Sequence, residues 1–168
     1  MVGKLVCILD ASAFIGGLSP FMISCHRILT CSSVVNELAD LRSSSYLEAG
    51  LASRKLKVVD PESEFIERVV EEARRRGLHR ALSMTDIEVL ALALQEKSKG
   101  NSVIVYTDDQ VMQSMCIHME LKWRGVRRRG VRKPVTTVVR CKLCGREYRV
   151  IDLEVCPLCG GELEVVRR

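Results

Sequence analysis

Residues 4–17 read KLVCILDASAFIGG, and the reading of this stretch decides the fold. Leu5, Val6, Ile8 and Leu9 make a short continuous apolar run bounded by glycine. That is the pattern of a strand covered on both faces of a sheet. The run ends on a carboxylate, Asp10, followed by small Ala11 and Ser12 rather than by a turn residue. An Asp in that place commonly caps the next helix. Taken alone, Asp10 is such a cap; a different reading needs further acids at the same end of the same sheet.

Working outward, ASAFI begins a helix that stops near Gly16, Gly17 and Pro20, and HRILT is extended. Ser32 or Ser33 caps a helix through VVNELADLRSS, with Val34, Val35, Leu38 and Leu41 near helical spacing. LKVVD is a second strand. Pro61 and the acids Glu62 and Glu64 open another helix that ends near Gly77, with Arg74, Arg75 and Arg76 in its solvated last turn. LSMTDIEVLALALQEKSKG is helical and apolar almost all round, which predicts deep burial. Either Ser83 with Asp86 or Thr85 with Glu88 supplies its capping arrangement. NSVIVYTDD is a strand, and QVMQSMCIHMELK a last helix whose Met112, Met115 and Met119 form a core stripe. The alternation predicts an α/β fold, a parallel sheet flanked by helices.

The chain has 168 residues, 47% of them hydrophobic, enough for one medium domain and a small appendage. No apolar run approaches the ~20 residues of a membrane helix. The first apolar stretch is broken by Asp10 and lacks a cleavage-like region, so the expectation is a cytoplasmic protein without a signal peptide. Net charge is +5, but its distribution carries the information. Residues 1–121 hold 13 Lys/Arg against 16 acids, whereas residues 122–149 hold 11 against one. A basic block of that kind attached to a globular domain meets a polyanion, and RNA-contacting candidates are Arg124, Arg127, Arg128, Arg129, Arg132, Lys133, Arg140, Lys142 and Arg146. The eight cysteines divide into two CxxC pairs near the C-terminus and four scattered residues, Cys7, Cys25, Cys31 and Cys116, which read as small buried hydrophobes. His26, His79 and His118 show no ligand spacing.

In open parallel sheets ligands gather at the carboxyl ends of strands. Asp10 ends the first strand and Asp108 and Asp109 follow VIVYT, while Asp86 opens the buried helix and Glu37 sits in the helix after HRILT. One magnesium or manganese site explains all of these acids, because hard cations take oxygen ligands and relieve carboxylate repulsion. LDASAFI, VVNEL, LSMTD…VLALA and VYTDD, in this order, resemble the PIN-domain nucleases over roughly residues 1–121. The resemblance implies a metal-dependent ribonuclease whose acidic quartet falls on Asp10, Glu37, Asp86 and Asp109, with Asp108 adjacent and Ser12 on the small hydroxyl position of the first motif.

CKLCGREYRVIDLEVCPLCGG repeats CxxCG with eleven residues between the pairs. Cys141, Cys144, Cys156 and Cys159 therefore make a closed four-sulfur zinc site, and metal supplies the stability that some thirty residues lack. The predicted divisions are a nuclease domain at 1–121, a basic connector at 122–137 and a zinc ribbon at 138–168. This order resembles one PIN branch, the Nob endonucleases that mature the 3′ end of small-subunit ribosomal RNA, in their archaeal single-ribbon form. Gln113 fits that branch's TDD-x-x-x-Q motif, while Gln110 stands where an aromatic is expected. The resemblance implies metal-assisted phosphodiester hydrolysis by a monomer acting on precursor rRNA. The rival readings are a non-catalytic RNA-binding assembly factor and a toxin-type PIN ribonuclease. A haloacid dehalogenase phosphatase wants a second Asp two residues after the first, where this chain has Ser12.

Overall fold

A computed structural model describes residues 3–39, 45–127, 137–148 and 153–167. The strands β1 (Leu5–Leu9), β2 (Arg27–Thr30), β3 (Leu56–Val58), β4 (Ser102–Tyr106) and β5 (Lys122–Arg124) form one sheet in the order β3-β2-β1-β4-β5. All four pairings are parallel. The apolar run Leu5–Leu9 occupies the centre: Val6, Cys7, Ile8 and Leu9 have no exposed surface. Its register with β4 sets Leu9 opposite Tyr106, so both strands end at the same level. The chain steps from β1 to β2 on one side and returns to β4 on the other. The carboxyl ends of β1 and β4 are therefore the switch point where such sheets bind ligands.

The helices follow from local chemistry. After α1 (Ala11–Ile15) and α2 (Ser32–Ala39), α3 (Ser45–Ala52) occupies a stretch left unassigned by periodicity, and Leu41 lies outside the described residues. Helix α4 (Ser63–Arg75) is amphipathic, burying Phe65, Val69 and Ala73 at four-residue spacing, and stops at Gly77 with φ +68°. Helix α5 (Met84–Ser98) is buried on nearly every face, as its composition requires. Its start resolves the capping alternatives in favour of Ser83 and Asp86, which form a reciprocal capping box. Helix α6 (Gln110–His118) buries Met112 and Met115 against the core.

Three findings differ from expectation. The first turn of α2 is not capped by Ser32 or Ser33: the Asp60 carboxylate, arriving after β3, accepts both the Ser32 amide and hydroxyl at 2.8 Å. The sheet continues through β5 to Arg124, three residues past the predicted domain limit, because Trp123 packs on the core and its strand pairs with β4. Cys7 and Cys25 are joined in a disulfide, Cα atoms 6.1 Å apart, rather than lying as separate hydrophobes. Parallel pairing of β1 with β2 brings Cys25, two residues before β2, beside β1, a proximity that a separation of 18 residues does not announce.

The C-terminal module is a separate antiparallel sheet of β6 (Thr137–Cys141), β7 (Glu147–Tyr148) and β8 (Leu163–Arg167), ordered β7-β6-β8. No helix among the described residues is long and apolar enough to cross a membrane.

Candidate carboxylate site and four-cysteine centre

Asp10 is the N-cap of α1, as its position after β1 suggested, and also much more. One carboxylate oxygen accepts the Ala11 amide at 2.7 Å. The other accepts the Ser12 hydroxyl at 2.7 Å and the Thr107 hydroxyl at 2.9 Å. The residue is only 4% exposed. Burial pushes its carboxyl up to about 6, against the hydrogen bonds from Ser12 and Thr107, and the charge of Asp86 adds to the rise.

Thr107, fully buried, ties the β4 end to this group. Its Oγ1 also accepts the Asp109 amide at 3.1 Å, and its carbonyl accepts Nε2 of Gln113 at 2.9 Å. The Ser12 hydroxyl in turn accepts the Asp108 amide at 2.9 Å. Three of the predicted acids thus begin helices. Asp109 caps α6 by accepting the amides of Val111 and Met112, and Asp86 closes the α5 capping box through Oδ2. Burial raises the Asp86 carboxyl above the usual range, and Asp109 contributes as a nearby like charge. Asp10, Asp86 and Asp109 therefore sense one another in a chain. Glu37 is exposed on α2.

The donor set fits a hard divalent cation. Asp10 is buried among neutral hydrogen-bond donors, and no described Lys or Arg forms an ion pair with Asp10, Asp86 or Asp109. Carboxylates raised by burial and mutual repulsion are those a cation satisfies. No three of the described carboxylates have oxygens all within 4.8 Å of one another. That spread suits an ion held directly by one or two carboxylates and reaching the others through its own water shell. A cavity of about 300 Å³ beside them is lined by Ser12, Ile15, Gly16, Asp108, Asp109 and Arg127. A larger groove of about 660 Å³ touches Lys97, Ser98, His118 and Met119, where α5 and α6 end. It lies where the helices finish, at the other end of the strands from the carboxylates.

The predicted RNA-contacting residues fall in several places. Arg124 and Arg146 are exposed. Arg140 pairs with Glu147 at 2.7 Å and Lys142 with Glu162 at 2.8 Å, exposed ion pairs that release easily to a phosphate. The Arg127 side chain donates to the carbonyls of Ile15 and Gly16. Arg128, Arg129, Arg132 and Lys133 lie outside the described residues. Two participants escaped sequence reasoning. Thr107 was visible only as the first letter of TDD, and Asp60 carried the same signal as Asp10, an acid straight after a strand.

Cys141, Cys144, Cys156 and Cys159 have sulfurs all within 4.8 Å of one another. The closest pairs, Cys141 with Cys159 and Cys144 with Cys156, are 3.5 and 3.7 Å apart. Four bonds of ~2.3 Å at tetrahedral angles place sulfurs roughly 3.8 Å apart, so the cradle fits zinc. Gly145 and Gly160 turn the two knuckles at φ +70° and +69°. A Cβ on Gly161 would meet the Cys141 sulfur at 2.9 Å, so that position admits no side chain. The Tyr148 hydroxyl, 3.1 Å from the Cys156 sulfur, holds that thiol down at about 6.

A family model described as the PIN domain of ribonuclease matches residues 7–95, which contain Asp10, Glu37 and Asp86. Endoribonuclease Nob1 of Archaeoglobus fulgidus is 36% identical over 143 residues, 85% of this chain and 81% of that protein. Endoribonuclease Nob1 of Pyrococcus abyssi is 34% identical across 100% of this chain and 98% of its own length, cysteine module included. Ribonuclease VapC3 of Aeropyrum pernix is 38% identical over 128 residues, 76% of this chain. With the α/β sheet, the acids at its switch point and the four-cysteine centre, these likenesses place the chain in the Nob1 family of PIN-domain endoribonucleases.

Proposed function

We propose that this endoribonuclease cleaves precursor small-subunit rRNA at its 3′ end, as a cytoplasmic monomer, with magnesium or manganese at Asp10, Asp86 and Asp109 and zinc at the four cysteines. The observation that carries the reading is Asp10, a buried carboxylate at the switch point, held by two hydroxyl donors and within the field of the Asp86 charge. A bound divalent cation would supply an activated water and charge neutralisation at the scissile phosphate.

The chain's own residues do the positioning. Ser12 and Thr107 fix the Asp10 carboxylate plane and hold the β4 end in register with it. Asp109 offers one oxygen to the α6 amides, leaving the other for a ligand. Glu37, exposed on α2, is the remaining acid of the proposed set. Basic residues of the connector and ribbon supply phosphate affinity.

Incubating the whole chain with a small-subunit rRNA precursor and manganese, then mapping the ends, tests the reading. A single cut at the mature 3′ boundary, lost in Asp10→Asn, is expected. Indiscriminate cutting, or activity that survives the substitution, refutes it. The match to Ribonuclease VapC3 favours one competing outcome, cleavage of an unrelated RNA with the ribbon dispensable.

A further inference from the structure

Two carboxylates follow β4, and they face different work. Asp109 caps α6, accepting the amides of Val111 and Met112. Asp108 turns towards the chain leaving β5: its Oδ1 accepts the Val126 amide at 2.7 Å, and its two oxygens accept the Arg127 amide at 3.2 and 3.0 Å. From the same segment Arg127 reaches back to α1, where Nε donates to the Gly16 carbonyl at 3.0 Å and Nη2 to the Ile15 carbonyl. Carbonyls at a helix end lack intrahelical partners and carry partial negative charge, so a guanidinium is a fitting occupant. Val126 packs so closely on Gly16 that a Cβ there would meet its Cγ1 at 3.0 Å.

We propose that Asp108 and Arg127 form a clasp that fixes the entry of the basic connector at the rim of the carboxylate site. Asp108 is then a positioning residue and not a cation ligand, and Arg127 is an anchor and not a phosphate contact. Both oxygens of Asp108 accept amides of the segment leaving β5, so an ion bound there would release Val126 and Arg127 from their anchor. The clasp forms one wall of the 300 Å³ cavity next to Ser12 and Asp109. Fixing Val126 and Arg127 sets where the connector departs from the rim of the acids. The catalytic side of this inference rests on the proposed rRNA cleavage; the clasp itself does not.

The test compares Asp108→Asn, Arg127→Gln and the double variant in the full chain. The first readout is amide hydrogen exchange at Val126 and Arg127, made without RNA or added cation. Each single variant is expected to speed exchange there about tenfold, as loss of a charge-assisted hydrogen bond does. The double variant should be little faster than either, because the two contacts hold one segment. In cleavage assays KM for the precursor should rise severalfold, while the manganese concentration giving half-maximal rate stays unchanged. Unaltered exchange in both singles overturns the clasp. So does a tenfold loss of manganese affinity in Asp108→Asn, the mark of a ligand. A salt slope reduced by about one in Arg127→Gln with exchange unaltered makes it a phosphate contact instead. If the wild-type chain fails to cut that RNA, the proposed function falls, and the exchange measurements still decide the clasp.

Discussion

Asp10→Asn should make the metal-free protein more stable at neutral pH while abolishing cleavage. The carboxyl is pushed up from 3.8 to about 6, mainly by burial. A carboxyl whose folded value exceeds its unfolded one stabilises the fold only while protonated. That contribution is complete below about pH 3.8 and is lost as the pH rises through about 6. At about 1.4 kcal/mol per pH unit, ionised Asp10 costs the metal-free domain about 3 kcal/mol at pH 7. Asn keeps the shape and an oxygen for the Ala11 amide, but turns a donor towards Ser12 and Thr107. Reorienting those hydroxyls costs about 1 kcal/mol. The net gain is about 2 kcal/mol at pH 7, crosses zero at about pH 4.5, and becomes a loss approaching about 1 kcal/mol below about pH 3.8, where the native carboxyl is protonated. Urea unfolding in chelator, followed by the single tryptophan, Trp123 on β5, measures it across that range. Manganese should then stabilise the wild type and leave the variant unmoved. A variant that is less stable at pH 7, or that keeps the wild-type pH slope, refutes this electrostatic account of Asp10.

Glu96 is 0% exposed and holds Arg27, Lys99 and Asn101 at 2.9, 3.1 and 2.9 Å. Glu96→Ala should cost roughly 1–3 kcal/mol, since it removes charge-assisted bonds to cations that solvent still reaches, yet leave kcat intact, as urea melts and cleavage rates will show. Stripping zinc should unfold the ribbon without disturbing Trp123 fluorescence, because the parallel sheet has its own core. A chain ending at Arg127 should fold as well as the whole, whereas one ending at Leu121 loses β5 and melts at lower temperature. Neutralising Arg128, Arg129 and Arg132 should weaken binding to any RNA and flatten the log–log salt dependence by about two to three.

What the sequence determined by itself was local or periodic. A continuous apolar run made β1 central because only a doubly covered strand tolerates it, and near-uniform apolarity made α5 buried for the same reason. Two CxxCG knuckles specified a four-sulfur centre because both halves of each grip sit within one turn. The order of the acidic motifs was enough to identify the nuclease family and to name Asp10, Asp86 and Asp109 as candidates. Tertiary structure decided whatever depended on which strand ends meet. Whether Ser32 or Ser33 capped α2 could not be read locally, since the cap is Asp60, 28 residues away across β2 and β3. Cys7 and Cys25 became a pair only through the β1–β2 register. The resemblance singled out Asp109 over Asp108, but the different partners of these adjacent acids come from the return of the chain along β5, which gives Asp108 the Val126 and Arg127 amides while Asp109 caps α6. Side-chain type and period are written along the chain, but partners distant in sequence are chosen by the sheet that brings them together.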